Sequence, residues 1–183
     1  MKRPNSDRHA ADGRLVQRAQ AGDEDALAEI YRSNVQAIYR YILNRTGDAA
    51  TAEDLTSEVF MRAVAALPRY RHRGAPLASW LFRIAHDRVI DFHRASGRHP
   101  LSELEESLSA SGPDPETAFL EQAEAARVRR AMIELTAEQR DVLYFRFAEG
   151  LSIDNTASLM GKTPGAVKAL QFRALQALGR KLK

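Results

Sequence analysis

Residues 150–183 read GLSIDNTASLMGKTPGAVKALQFRALQALGRKLK, and the punctuation of this stretch predicts a helix, a tight turn and a second helix. Gly150 ends a preceding helix, and Ser152 is placed to cap the next by accepting from its orphan N–H groups. That helix carries Ile153, Ala157 and Met160 at helical spacing until Gly161 breaks it. Lys162-Thr163-Pro164 then restarts the chain with an N-cap threonine and a proline at the first helical position, where its missing N–H loses nothing. The second helix puts Val167, Leu170, Ala174, Leu175 and Leu178 on one face and leaves Lys168, Ala169, Phe172 and Arg173 on another. From Lys162 onward there are six Lys or Arg residues and no carboxylate, a run suited to neutralising phosphates. Such a stretch could be a hairpin that completes a core and trails a solvated basic tail, or a reader of a DNA groove. The capping series and the one-sided charge favour the groove.

Length and composition bound the rest. At 183 residues, 44% of them apolar, the chain holds one domain or two small ones with buried cores. No apolar run approaches the roughly 20 residues of a membrane span, and the opening MKRPNSDRHAADGR lacks the apolar core of a signal peptide, so a cytoplasmic location is expected. With no cysteine there is no disulfide, thiol nucleophile or thiolate metal site. Net charge is only +3, but its distribution is blocked. Residues 23–58 hold eight acids against three arginines, 62–99 eight arginines against two acids with four histidines, and 100–124 seven acids with no base.

Taken in order, residues 1–13 are polar and unpatterned, which predicts a disordered tail. A short helix over 15–21 stops at Gly22. Asp23 caps a long one in which Leu27, Ile30, Tyr31, Val35, Ile38 and Ile42 recur at three and four, and Gly47 closes it. Asp48 opens a third helix with Ala52, Leu55, Val59, Ala63 and Leu67 inward, ended by Pro68. A basic, aromatic segment, residues 69–76, is broken by Gly74 and Pro76 and predicts an exposed loop. A fourth helix from Leu77 to about Ala95 carries Leu77, Trp80, Leu81, Ile84, Val89 and Phe92 on a broad apolar arc. Residues 14–96 therefore make one helical domain, and 97–114, rich in Ser, Glu, Pro and Gly, an acidic flexible linker. Asp114-Pro115 opens a helix to about Leu135, and Thr136-Ala-Glu-Gln139 is a capping box, so 115–183 is a second domain of four short helices. No strand pattern appears, and the fold class is all-α.

Three sets of residues invite function. Glu53, Asp54, Ser57, Glu58 and Arg62 line the polar side of the third helix, with Leu55, Val59 and Phe60 bracketing it. A solvated acidic face is the plain explanation for such a row, but Phe60 at its edge adds the look of an interface anchor for a basic partner. In the loop and fourth helix, arginines interleave with Tyr70, His72, Trp80 and Phe82, a combination suited to single-stranded nucleic acid, where rings stack on unpaired bases. His86, Asp87, Asp91 and His93 could be taken for a metal site, but no second helix offers matching ligands, so no metal is expected. No phosphate loop and no nucleophile-base signature is present, and no enzyme or cofactor is expected.

The chain from about Leu15 to Leu182 resembles the extracytoplasmic-function sigma factors of bacterial RNA polymerase. AEDLTSEVFMRA (residues 52–63) is similar to that family's core-binding helix. FRIAHDRVIDFHR (82–94), with Trp80 before it, looks like the helix that reads the -10 element, and LTAEQRDVLYFRFAEGLSIDNTASLMGKTPGAVKALQFRALQAL like the -35-binding domain. The resemblance implies a bacterial cytoplasmic protein, not an enzyme, that binds polymerase core at its clamp and flap, directs promoter-specific initiation and helps to melt DNA. It also admits an anti-sigma protein as a partner. By resemblance, Asp54, Leu55, Glu58, Phe60 and Arg62 meet the polymerase. Arg71, Arg73, Trp80, Arg83, His86, Asp87 and Arg94 meet the -10 strand, and Lys162, Thr163, Gly165, Lys168, Ala169, Phe172 and Arg173 meet the -35 duplex. Asp87 stands where the family often has asparagine, Ala169 where serine is frequent, and Asn155-Thr156 replaces a usual Glu-Ile pair. A stand-alone helix-turn-helix regulator would explain the C-terminal domain but not the acidic helix and acidic linker.

Overall fold

Asp23 serves two helices at once. In the computed structural model, which describes residues 4–72, 74–96, 127–128 and 130–182, helix α1 (Pro4–Gln20) ends at Gly22, whose φ of 88° lets the Asp23 N–H close back on the Arg18 carbonyl at 3.1 Å. The Asp23 carboxylate then accepts from the Ala26 N–H at 3.0 Å and opens α2 (Glu24–Thr46), while Arg18 Nε donates to its other oxygen at 2.7 Å. Gly47 closes α2, and Asp48 caps α3 (Ala49–Ala66) by accepting from the Thr51 N–H at 2.7 Å. A 3-10 turn, Leu67–Arg69, follows, and α4 (Leu77–Ser96) completes the first of two compact units, Met1–Glu103 and Leu104–Lys183.

The α3 side of the first unit's core is the one that helical spacing predicts, while on α2 Tyr31, expected inward, is 49% exposed and Tyr41 is buried instead. Ala52, Leu55, Val59, Ala63 and Leu67 turn inward from α3, none more than 5% exposed. Helix α3 packs against α2 and α4, on which Ile30, Ile38 and Ile42 and Leu81, Phe82 and Val89 respectively are buried. Tyr41 and Phe82 pack edge to face with ring centroids 5.8 Å apart. Two further expectations need correction. The helix taken to start at Leu15 begins at Pro4, so most of the segment read as a disordered tail is helical. One contact of this helix is long-range and therefore invisible to local pattern: Asp12 Oδ2 accepts from the Leu77 N–H at 2.9 Å and caps α4 from 65 residues away. Phe82, read as a ring for stacking on bases, is a core residue at 1% exposure.

In the second unit, residues 130–133 are helical and Thr136 makes the capping box, its hydroxyl accepting from the Gln139 N–H at 3.3 Å while Gln139 Oε1 accepts from the Thr136 N–H at 3.0 Å. Helix α5 (Ala137–Leu143) widens into a π turn over Tyr144–Ala148, in which the Glu149 N–H reaches the Tyr144 carbonyl at 3.1 Å. Ser152 caps α6 (Ile153–Met160), and Thr163 caps α7 (Pro164–Lys181), each by accepting from the N–H three residues on. Between them Gly161 adopts φ 64°, and the Lys162 N–H closes on the Ala157 carbonyl at 2.9 Å. Leu135, Val142, Leu143, Ala157, Val167, Leu170 and Ala174 form the core. Every described element is helical. The proposed linker 97–114 and the helix expected to open at Pro115 lie outside the described residues up to 126.

The Asp23 carboxyl is held below the usual carboxylate range, first by the Ala26 N–H and then by the Arg18 guanidinium. A folded-state pKa below the unfolded one contributes stability that is complete above about pH 4 and lost as pH falls through the folded value. Asp23→Ser keeps a cap that does not titrate. Thermal melts of the two proteins from pH 7 down to pH 2 are expected to show wild type losing more of its midpoint below about pH 4 than the serine variant, and parallel curves would contradict this account of the joint.

Candidate functional site

The loop before α4 is positioned by α1. Gln20 Nε2 donates to two carbonyls of that segment, Leu67 at 2.8 Å and Tyr70 at 2.7 Å. So held, the Tyr70 ring stacks on Trp80 with centroids 4.2 Å apart and planes 28° from parallel. Burial, and then the Asp12 carboxylate, push the Tyr70 phenol above its ordinary pKa. Ala66, Arg69, Tyr70, Arg71 and Trp80 line a solvent-open cleft of about 520 Å3. Arg69 and Arg71 are exposed, Trp80 partly so. Farther along α4, Arg83, Asp87 and Arg94 are exposed on the side that continues from Trp80, while His86 is partly buried with Nδ1 3.9 Å from Asp87 Oδ1. Arg73 lies outside the described residues.

On α3 the acidic row is real but not wholly free. Glu53, Asp54 and Arg62 are exposed. Glu58 is engaged from the next helix by Arg88, whose Nη2 lies 2.6 Å from its Oε2 and whose Nη1 reaches Asp91 at 3.1 Å. Leu55 and Phe60 are 5% and 8% exposed, so in the free chain they support the surface from beneath; Phe60 packs edge to face on Tyr31 at 4.8 Å. Tyr31 of that pair is itself exposed, as are the apolar Met61 and Val64 of α3, none of which helical spacing singled out as surface. Of these, Tyr31 was expected inward and is 49% exposed.

Helix α7 divides cleanly. Val167, Leu170 and Ala174 are buried, and on the opposite side Thr163, Gly165, Lys168, Ala169, Phe172 and Arg173 are exposed, Phe172 at 62%. Leu175, expected inward, is 42% exposed. Lys162 differs from the rest: its ammonium pairs with Glu138 Oε1 at 2.7 Å. Among the described residues no group of three or more His, Asp or Glu is arranged to hold a metal ion, and His93 instead bonds the Arg45 backbone carbonyl at 3.0 Å. No described helix is long and apolar enough to cross a membrane.

One unit thus carries an acidic helix beside a basic aromatic cleft, and the other a basic helix-turn-helix. Residues 30–99 match Sigma-70 region 2, and residues 125–178 match Sigma-70, region 4. The chain is 39% identical over 171 residues to the ECF RNA polymerase sigma factor SigD of Mycobacterium tuberculosis, covering 90% of this chain and 80% of that protein. It is 39% identical over 170 residues to the ECF RNA polymerase sigma factor BldN of Streptomyces coelicolor, covering 92% of this chain but only 64% of BldN. The fold is also that of CnrH, solved in complex with the cytosolic domain of CnrY (TM-score 0.71, 22% identity, 94% of this chain and 97% of that one). RpoE of Bartonella quintana, solved with the anti-sigma factor NepR, is similar as well (TM-score 0.63, 23% identity, 87% and 95%). The chain belongs to the ECF RNA polymerase sigma factors of the sigma-70 family. It is an alternative sigma factor, a protein that directs transcription initiation.

The Lys162–Glu138 pair has a measurable consequence for the basic surface. An exposed pair of this kind is worth at most about 1 kcal/mol, so a phosphate can replace the carboxylate, but the acid still subtracts from the local positive charge. Glu138→Gln is expected to tighten binding to duplex DNA and to steepen the log–log salt dependence by up to about one phosphate equivalent. Titration at several salt concentrations checks this; an unchanged slope would show that Lys162 stands away from the backbone.

Proposed function

We propose that the first unit docks on the clamp of RNA polymerase core and holds the non-template strand of a melted -10 region, while the second reads a -35 element in duplex DNA and contacts the flap. The observation that carries the proposal is α7. Its exposed face bears Lys168 and Arg173 and no carboxylate, it lies opposite the buried Val167, Leu170 and Ala174, and it begins at a capped, positively polarised N-terminus. Thr163, Gly165, Lys168, Ala169, Phe172 and Arg173 are the proposed duplex-facing residues, with Lys162 on a phosphate. For the melted strand the proposed surface is the cleft walled by Trp80 and Arg71, continued by Arg73, Arg83, His86, Asp87 and Arg94. Polymerase docking is assigned to Asp54 and Arg62 directly, to Glu58 through its arrangement with Arg88, and to Leu55 and Phe60 as the support of that face.

In this proposal residues 14–96 and 115–183 act as regions 2 and 4, joined by the acidic segment 97–114. The chain performs no covalent chemistry of its own and works in the bacterial cytoplasm. Family membership, rather than any surface described above, brings an anti-sigma protein into the proposal as a further partner.

Run-off transcription of genomic fragments with core enzyme and the chain tests the whole proposal. Discrete start sites that need both proteins are expected. A stand-alone regulator would bind duplex DNA without core and fail to co-purify with it. Asp54→Arg, at an exposed position where stability shifts by only about 0.5 kcal/mol, is expected to weaken core binding about tenfold or more. A pull-down equal to wild type, with unchanged helicity, would remove α3 from the interface.

A further inference from the structure

Three contacts converge on the loop that carries Tyr70 and Arg71, and all come from one helix that the proposed function leaves without a task. Asp12, Val16, Ala19 and Gln20 lie on one side of α1. Val16 and Ala19 are buried and fix that side against the unit. Gln20 bonds the Leu67 and Tyr70 carbonyls, at the start of the loop, and Asp12 bonds the Leu77 N–H, at its end. Between them Gly13 lies under His72, where a Cβ would come within 3.2 Å of the ring. Both ends and the middle of an otherwise irregular segment are thus set by α1. The Gln20 contact is also chemically directional, because one –NH2 group faces two carbonyls; an oxygen in its place would repel both.

We propose that α1 is a latch that sets the position of this loop, and that Gln20 and Asp12 are positioning residues for the Tyr70–Trp80 stack and hence for the strand-binding cleft. This rests on the assignment of the cleft to the melted -10 strand. Neither residue is assigned a contact with DNA. Each acts by fixing backbone: Gln20 pins the Tyr70 carbonyl, which places the phenol ring over Trp80, and Asp12 fixes the first turn of α4, on which Trp80 stands.

The chain contains a single tryptophan, so Trp80 reports on the cleft without a label. Four variants are read by Trp80 emission and acrylamide quenching, by pull-down on core enzyme, and by permanganate reactivity of open complexes on a promoter isolated with wild-type holoenzyme. Gln20→Ala and Asp12→Ala are expected to red-shift the emission, increase quenching and lower the open-complex fraction about five- to tenfold, with core binding unchanged within about twofold. Gln20→Glu, which preserves size but turns the donor into an acceptor, is expected to behave as Gln20→Ala does, whereas Asp12→Asn, which keeps an acceptor oxygen, is expected to restore wild-type values. A merely space-filling role would make Gln20→Glu silent. Wild-type emission and opening in both alanine variants overturns the latch, as does altered emission with wild-type opening. Arg71→Ala with Trp80→Ala separates the latch from the assignment beneath it. Wild-type opening in that double variant sinks the cleft as a strand site and the latch with it; lost opening there alongside normal opening in Gln20→Ala sinks the latch alone.

Discussion

The hydrogen bond from a helix's first unpaired amides to a single side-chain oxygen is the interaction on which the rest of this structure depends. A chain with no cysteine and two small cores must fix the directions of its helices at their joints. Asp23, Asp48, Thr136, Ser152 and Thr163 do so, each accepting from the N–H three residues on, at about 1 kcal/mol apiece. A cap sets where a helix points; the buried stripe sets how it is rotated about its axis. In α7 both constraints act together. Gly161 and the Thr163-Pro164 start aim the helix, and Val167, Leu170 and Ala174 turn Lys168, Phe172 and Arg173 outward. The exposed face follows from packing and needs no separate specification.

Because caps and stripes are local, they were legible in the sequence. Each of the five N-caps, the turn at Gly161 and the inward residues of α3 could be read from spacings of three and four. What was not legible depends on residues far apart in the chain. Asp12 of α1 reaches Leu77, and the loop after α3 is bonded by Gln20. Phe82 shows the same limit from the other side: among arginines and aromatics it looks like part of a binding surface, and only its approach to Tyr41 shows that it belongs to the core. The π turn after α5 has no composition signal either, since Tyr144–Ala148 continues an ordinary helical pattern.

Charge was legible as blocks but not as pairs. The acidic row of α3 looks uniform in sequence, yet Arg88 neutralises Glu58 across the helix pair and leaves Glu53 and Asp54 as its outward charges. The basic run after Lys162 looks equally uniform, yet Lys162 and Lys181 are answered by Glu138 and Glu134, while the exposed Lys168 and Arg173 occupy the middle of the helix. Pairing across helices therefore concentrates each field on fewer residues than composition suggests. For a protein that must meet an extended polyanion, that concentration helps to decide where on the surface phosphate contacts are strongest.

The same division between buried and exposed sorts the positions at which this chain departs from its family's usual residues. Thr156 is fully buried in α6, so its exchange for the more common isoleucine is a matter of core packing around a hydroxyl and cannot itself touch a base. Ala169 and Asp87 are both exposed, one on the outward face of α7 and the other on α4 two turns beyond Trp80. Alanine presents only a methyl group to a groove, where it can meet the thymine methyl but cannot offer a hydrogen bond. Aspartate offers only acceptors where asparagine would also donate, so it favours a base edge rich in amino groups and repels phosphate. Outward positions such as these can vary while the caps and buried stripes beneath them stay constant.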